Sequence, residues 1–251
     1  MTSNRLAGLS ALVTGAGGGI GGAIAQRFVA EGAKVIGFDL GGEGAGFPLL
    51  SCDVREAEAV ERTVAEANAR NGGVDVVVTA AALTGGRGTF PDVTDDEWNA
   101  YLAVNLTGTF RVCRAVARLM IAQERGGSII TVGSVNSLAA EPQALPYASS
   151  KGGIAILTRA MAVDLARHGI RANMLAPGPV EVPRNAALFR SPQFQRGFRQ
   201  IVPMGHPAGP ADVANAAVYL AEPGSNMVTG TTLLVDGGLM AQIPPFDRGG
   251  D

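Results

Sequence analysis

Tyr147-Ala148-Ser149-Ser150-Lys151 sets a phenol and an ammonium four positions apart, which on a helix is one face. A lysine charge beside a tyrosine favours the phenolate, so the spacing predicts a Tyr147 pKa lowered from ~10 toward neutral pH. Such a tyrosine can act as general base or acid. Taken alone, this spacing is common and mostly structural. Here it follows Ser134 by thirteen positions, at the end of an apolar run, where a hydroxyl can polarise a substrate oxygen.

A second constellation is Thr14-Gly15-Ala16-Gly17-Gly18-Gly19-Ile20-Gly21, between a strand-like run and a helical pattern. Glycines there allow a tight turn and close backbone approach to a pyrophosphate, and the helix N-terminus offers free N–H groups. Gly15, Gly17, Gly18, Gly19 and Ile20 are the expected contacts. Asp39 closes the next apolar run, with Leu40 after it. A carboxylate there can accept from both ribose hydroxyls and would repel a 2′-phosphate. No Lys or Arg stands in the glycine turn or directly after Asp39. NAD(H) is therefore favoured over NADP(H). Asp53, followed by Val54, can meet the adenine amino group or, equally, cap the helix that follows.

Strands are expected over 10–14, 34–39, 74–79, 127–133, 170–176 and 232–235, mostly as continuous apolar runs, the pattern of a parallel sheet covered on both faces. Helical periodicity covers 20–31, 56–70, 95–124, 147–168 and 211–221. The alternation predicts right-handed crossovers and a doubly wound α/β sheet, and no linker or repeat divides residues 1–251. One crossover lacks a helix: four glycines and a proline between Asp39 and Asp53 predict a loop, then a short strand near 48–52.

The 251 residues carry a formal net charge of −2, which gives no footprint for nucleic acid or an anionic membrane. Two cysteines, Cys52 and Cys113, are too few for a disulfide scaffold, and with two histidines they indicate no metal site. The first nine residues lack a secretory pattern, and no uncharged apolar run reaches ~18 residues. A soluble, cytoplasmic protein without nucleic-acid or membrane partners is expected.

Together these residues resemble the short-chain dehydrogenase/reductase family, of the single-domain kind, over essentially the whole chain. The resemblance rests on the glycine motif, Val104-Asn105-Leu106-Thr107-Gly108, Ser134, Tyr147, Lys151, Pro177-Gly178 and Val235-Asp236-Gly237-Gly238. It implies a Rossmann-like sheet of about seven strands with helices on both faces, a nicotinamide cofactor, an alcohol or ketone substrate and a homotetramer. Position by position, Tyr147 would exchange the proton with the substrate oxygen and Ser134 would hydrogen-bond that oxygen. Lys151 would hold the nicotinamide ribose, and Asn105 would anchor a water linking Lys151 to solvent. Ala80, Ala81, Ala82, Pro177, Gly178 and Val180 would complete the cofactor contacts. Two departures are visible. Thr79-Ala80-Ala81-Ala82 stands where the family usually has Asn-Asn-Ala-Gly, and Val182 where it often has Thr. They leave open an alternative, a cofactor-binding or sensing protein on the same fold without turnover.

Residues 83–90, 136–146 and 181–203 are expected to form the substrate pocket, the last as a lid. Within 182–203 stand Arg184, Arg190, Arg196 and Arg199 with no carboxylate, interleaved with Phe189, Phe194 and Phe198. This reads as an amphipathic lid with a solvated basic face, or as an anion site in which Arg184 and Arg190 meet a charged substrate. Asn136 and Gln143 flank the Ser134–Tyr147 pair and can read a second polar group or simply cap loops. The missing crossover helix resembles the branch of the family that oxidises cyclic dihydrodiols with NAD⁺. Oxidation of a secondary alcohol is the broader expectation.

Overall fold

The computed structural model describes residues 4–42, 44–85 and 88–242. Seven parallel strands, β1 (Ser10–Thr14), β2 (Lys34–Asp39), β3 (Leu49–Ser51), β4 (Val76–Thr79), β5 (Gly127–Val132), β6 (Ile170–Pro177) and β7 (Thr232–Val235), form one sheet. Their order is β3-β2-β1-β4-β5-β6-β7. The chain winds outward from β1 in one direction, returns to β4, and winds outward in the other. The crevice between β1 and β4 is therefore the topological switch point, where ligands bind in such sheets.

Side-chain alternation along each strand builds two layers. Ala11 and Val13 of β1, with Val76 and Val78 of β4, pack under α1 (Gly19–Ala30) and α8 (Pro210–Ala221). Leu12 and Val77 point the other way, beneath α2 (Ala57–Asn71) and α4 (Thr109–Gln123), with α5 (Leu145–Leu165) on that face through Ala162. This is the doubly wound α/β, Rossmann-like arrangement expected. The described residues between β2 and β3 form no helix. Instead, buried Phe47 fills the core there, and it fits because residue 37 is glycine: a Cβ would lie 2.8 Å from the Phe47 ring.

Two differences from the sequence expectation bear on the site. The segment 95–124 is not one α-helix. It runs as α3 (Asp95–Tyr101), a π-helical stretch Leu102–Gly108, and α4. The widened turn carries Asn105, and such π segments tend to sit at functional sites. The expected lid is built of α6 (Ala186–Phe189) and α7 (Pro192–Ile201), gathered around Phe189, Phe194 and Phe198 with ring centroids 5.0 to 5.9 Å apart.

Candidate active site

A cleft of about 840 Å³ opens at the carboxyl ends of β1, β4, β5 and β6. Its floor at one end is the glycine turn. Gly15 adopts a φ of +69°, and a Cβ there would stand 2.8 Å from the Ala81 amide nitrogen, so only glycine allows this approach. α1 has no acidic residue in its first turn and no side-chain cap, so its N-terminal amides face the cleft uncommitted to any carboxylate. Opposite, the Asp39 carboxylate accepts from the Gly17 amide at 2.9 Å and the Leu40 amide at 2.8 Å, which pins it at the rim.

Asp53 is not aimed freely at a ligand. It takes the backbone N–H of Arg55 at 2.9 Å and its guanidinium at 2.7 Å, and this bonding holds its carboxyl below the usual range. Arg55 itself lines the cleft. Val54 is buried against Gly108 of the π segment. Ala80, Ala81 and Ala82 line the cleft where the family motif is altered, and the Thr14 hydroxyl accepts from the Ala80 and Ala81 amides at 3.1 Å each. That pair of bonds braces the loop to β1 without the missing asparagine side chains. Pro177 ends β6, and the Gly178 amide donates to the Val235 carbonyl at 3.1 Å. A Cβ on Gly178 would press on Asp236 at 3.0 Å, so the Val235–Gly238 turn and the cleft wall need each other. Val180 lines the cleft as well.

At the other end Ser134, Tyr147 and Lys151 converge. Ser134 is the N-terminal cap of a short turn after β5. Its hydroxyl accepts from the Asn136 amide at 3.1 Å and stands close enough to the Tyr147 phenol to favour its ionised form. Pro146 in the first turn of α5 starts that helix so that Tyr147 faces Ser134 and Lys151 follows one turn later. Lys151 is 3% exposed, its Nζ lies 5.6 Å from the Tyr147 ring centroid, and it donates to the Val132 carbonyl at 2.7 Å.

The electrostatics correct one expectation. Burial, not Lys151, dominates Tyr147 and raises its pKa above the usual 10.0, with the neighbouring Ser134 hydroxyl and the Arg184 charge pulling the other way. Burial also lowers Lys151 from 10.5 to about 8. The ammonium is turned toward a backbone carbonyl rather than toward the phenolic oxygen, so the spacing alone overstated its influence.

Asn105 is fully buried. Its side chain accepts from the Leu83 amide at 2.8 Å and donates to the Leu83 carbonyl and to the Ser150 hydroxyl, each near 3 Å. Ser150 in turn donates to the Tyr147 carbonyl at 2.7 Å. One amide thus ties the π segment, the loop after β4 and the first turn of α5 together.

The substrate-side expectations divide. Arg184 lines the cleft; Arg190 does not. Both Arg190 donors are drawn to Glu181, at 2.8 and 2.6 Å, because that carboxylate lies just before the carboxylate-free stretch. Asn136 and Gln143 line a neighbouring cavity of about 470 Å³ instead of the main cleft, although the Asn136 side chain accepts from Ser134 at 3.2 Å. Leu83 and Asn185 fall within the segments expected to form the pocket, whereas Arg55 was not anticipated in the site. The Asp53–Arg55 spacing was a readable ion-pair signal, whereas the roles of Leu83 and Asn185 come from folding.

A glycine turn at a helix N-terminus, a rim carboxylate and a Ser–Tyr–Lys group facing one crevice define a dinucleotide-dependent oxidoreductase of the α/β class. The family model described as Enoyl-(Acyl carrier protein) reductase matches residues 15–240. Among curated relatives, 3beta-hydroxysteroid dehydrogenase 1 of Eggerthella lenta is 35% identical, covering 97% of this chain and 98% of that protein. Glucose 1-dehydrogenase of Gluconobacter oxydans is also 35% identical, over 94% of this chain and 93% of that one. A gluconate 5-dehydrogenase from Burkholderia cenocepacia, solved in complex with NADP and tartrate, superposes with a TM-score of 0.89 at 37% identity, covering 96% of this chain and 99% of that one. The chain belongs to the short-chain dehydrogenase/reductase family and is an oxidoreductase acting on alcohols and ketones. Its nicotinamide cofactor fits the cradle at Gly15, which any Cβ would fill.

Proposed function

We propose that this protein interconverts a secondary alcohol and its ketone with NAD(H), with Tyr147 as general acid–base, Ser134 as hydrogen-bond donor to the substrate oxygen, and Lys151 and Asn105 as their support. The observation that carries this reading is the convergence of Ser134, Tyr147 and Lys151 on the cleft that the glycine turn opens. The nicotinamide supplies the hydride acceptor or donor. In oxidation Tyr147 takes the hydroxyl proton as the carbinol carbon gives up hydride; in reduction it returns that proton to the ketone oxygen. Ser134 holds the oxygen while its charge changes, a role for preorganised donors in a water-poor site. Lys151, set beneath the Tyr147 ring, is placed to reach a ribose hydroxyl, and Asn105 keeps the first turn of α5 in register with the loop after β4.

Preference for NAD(H) rests on Asp39, whose fixed carboxylate would oppose a 2′-phosphate, while the nearby Arg55 is already engaged by Asp53. Replacing Asp39 with Ser should raise the NADP⁺-to-NAD⁺ ratio of kcat/KM at least tenfold; a wild-type preference for NADP⁺ would overturn this part. A homotetramer and a cytoplasmic site of action belong to the same reading. Apolar Phe110, Ile156 and Val163 stand exposed on α4 and α5, and both cysteines are free and buried. The dihydrodiol reading has only the loop between β2 and β3 behind it, which lies on the adenosine side. Binding without turnover has no observation in its favour, since Thr14 braces the Ala80 and Ala81 amides where the family motif is altered.

The test is NADH formation from NAD⁺ across a panel of secondary alcohols, with Tyr147→Phe beside the wild type. The variant should lose about 10²–10⁴-fold in kcat while its cofactor Kd stays within a few-fold. Full activity in Tyr147→Phe would falsify the assignment.

A further inference from the structure

Charge is distributed unevenly along the cleft. Among the described residues that line it, both carboxylates, Asp39 and Asp53, stand at the adenosine end and are already bonded, to Gly17 and Leu40 and to Arg55. Lys151 is buried and given to the Val132 carbonyl. Arg184 is the remaining lining cation, and it has no ion pair or hydrogen bond among the described residues. Glu181, the nearest carboxylate in sequence, is occupied by Arg190. Glu141 acts on Tyr147 from the neighbouring cavity, which it lines, and not from the cleft.

The backbone turn that carries Arg184 is held in place. The Val182 amide donates to the Asn185 side chain at 2.8 Å, that side chain donates to the Val180 carbonyl at 2.9 Å, and the Asn185 amide closes the turn on the Val182 carbonyl at 3.0 Å. Val182 is buried, and Ala208 pairs with residue 180 behind it. The locked backbone spares part of the ordering cost when the exposed guanidinium meets an anion, and apolar Leu83, Val104 and Pro183 also line the cleft. Its charge reaches the reacting centre, since it acts on the Tyr147 phenol.

We propose that Arg184 is the specificity-determining residue of this site and that the substrate is a hydroxy or oxo carboxylate, its carboxylate paired with the Arg184 guanidinium. This rests on the alcohol–ketone reading above and narrows its substrate class. A single planar fork suits a singly charged carboxylate bidentately, whereas a phosphate monoester, with nearly twice the charge, calls for a second cation, and no other uncommitted one lines the described cleft.

The experiment compares kcat/KM for gluconate, neutral glucitol and glucitol 6-phosphate with the preferred dinucleotide. The wild type should favour gluconate over glucitol at least tenfold, and Arg184→Ala should lower that ratio at least tenfold, with Arg184→Lys partly restoring it. The ratio cancels any effect of Arg184 on Tyr147 common to both substrates. Arg190→Ala should leave it unchanged. An unaltered ratio in Arg184→Ala, a wild-type ratio at or below one, or preference for the phosphate ester overturns the proposal. Should none of the three turn over, tartrate is titrated calorimetrically into the NADH complex. Heat that is lost in Arg184→Ala but kept in Tyr147→Phe supports the site; no heat in the wild type overturns it. Loss of all turnover with intact tartrate binding would count against the catalytic reading and not against this one.

Discussion

Lys151 lies buried against the Val132 carbonyl with a pKa near 8, against 10.5 for an ordinary lysine. Between those values the unfolded chain holds a proton that the folded chain has released, so folding stability rises with pH across this window. Cys113, buried beside Thr79 and pushed up to about 12 from 9.0, acts in the opposite sense above pH 9, where the unfolded thiol ionises first. The unfolded thiols of Cys113 and Cys52 already begin to ionise below pH 9, so the Lys151 contribution between pH 8 and 9, about 1 kcal/mol, is isolated in the difference between wild type and Lys151→Met. Chemical denaturation at several pH values should show this rise in the wild type and its loss in Lys151→Met. The variant should be the more stable protein at pH 7 and nearly inactive, the exchange expected where a charge is buried for function. Parallel wild-type and Lys151→Met profiles between pH 8 and 9 would refute the burial cost. Tyr147, Lys151 and Ser134 were legible by type and spacing alone. Their electrostatics were not, because desolvation depends on what covers a group and not on its neighbours in sequence.

At the scale of elements, three segments distant in sequence meet at one amide. Asn105 bonds the Leu83 backbone on both sides and the Ser150 hydroxyl, all in the interior. Asn105→Ala leaves buried partners unsatisfied, which costs about 1–3 kcal/mol for each group left without a bond. Thermal melts should fall by several degrees, and hydrogen exchange at the Leu83 amide should accelerate more than at core amides of β5; equal acceleration throughout would assign Asn105 a merely global role. The motif around Asn105 could be recognised in the sequence, but the π turn that aims its side chain could not. An apolar 3.6-residue period continues through such a turn almost unchanged, so residues 95–124 read as one helix. The loop between β2 and β3 was legible for the contrary reason: four glycines and a proline crowded between Asp39 and Asp53 leave too few helix formers for a turn of helix to persist.

On the scale of the whole molecule, two groups of exposed apolar side chains stand away from the cleft and lid. Ile156 and Val163, 63% and 79% exposed and seven positions apart on α5, lie on the same sheet face as α4 with its exposed Phe110. Tyr219 on α8, Leu234 on β7 and Met227 lie toward the β7 edge. Two separate patches match a tetramer with two kinds of interface better than a dimer, which would leave one of them in water. Sedimentation should show a tetramer for the wild type and smaller species for Val163→Glu. A wild-type monomer at micromolar concentration would remove the assembly from the proposed reading.

Residue type and local spacing determined which groups could carry chemistry, where strands alternate with helices, and which crossover lacks a helix, because backbone preference and hydrophobic period act over a few residues at a time. Only the tertiary structure decided which of the lid arginines is unpaired and facing the cleft, that Arg55 closes on Asp53 within it, and that burial outweighs Lys151 at Tyr147. Those outcomes turn on ion pairs and desolvation between segments that the chain brings together only after the sheet has closed around them.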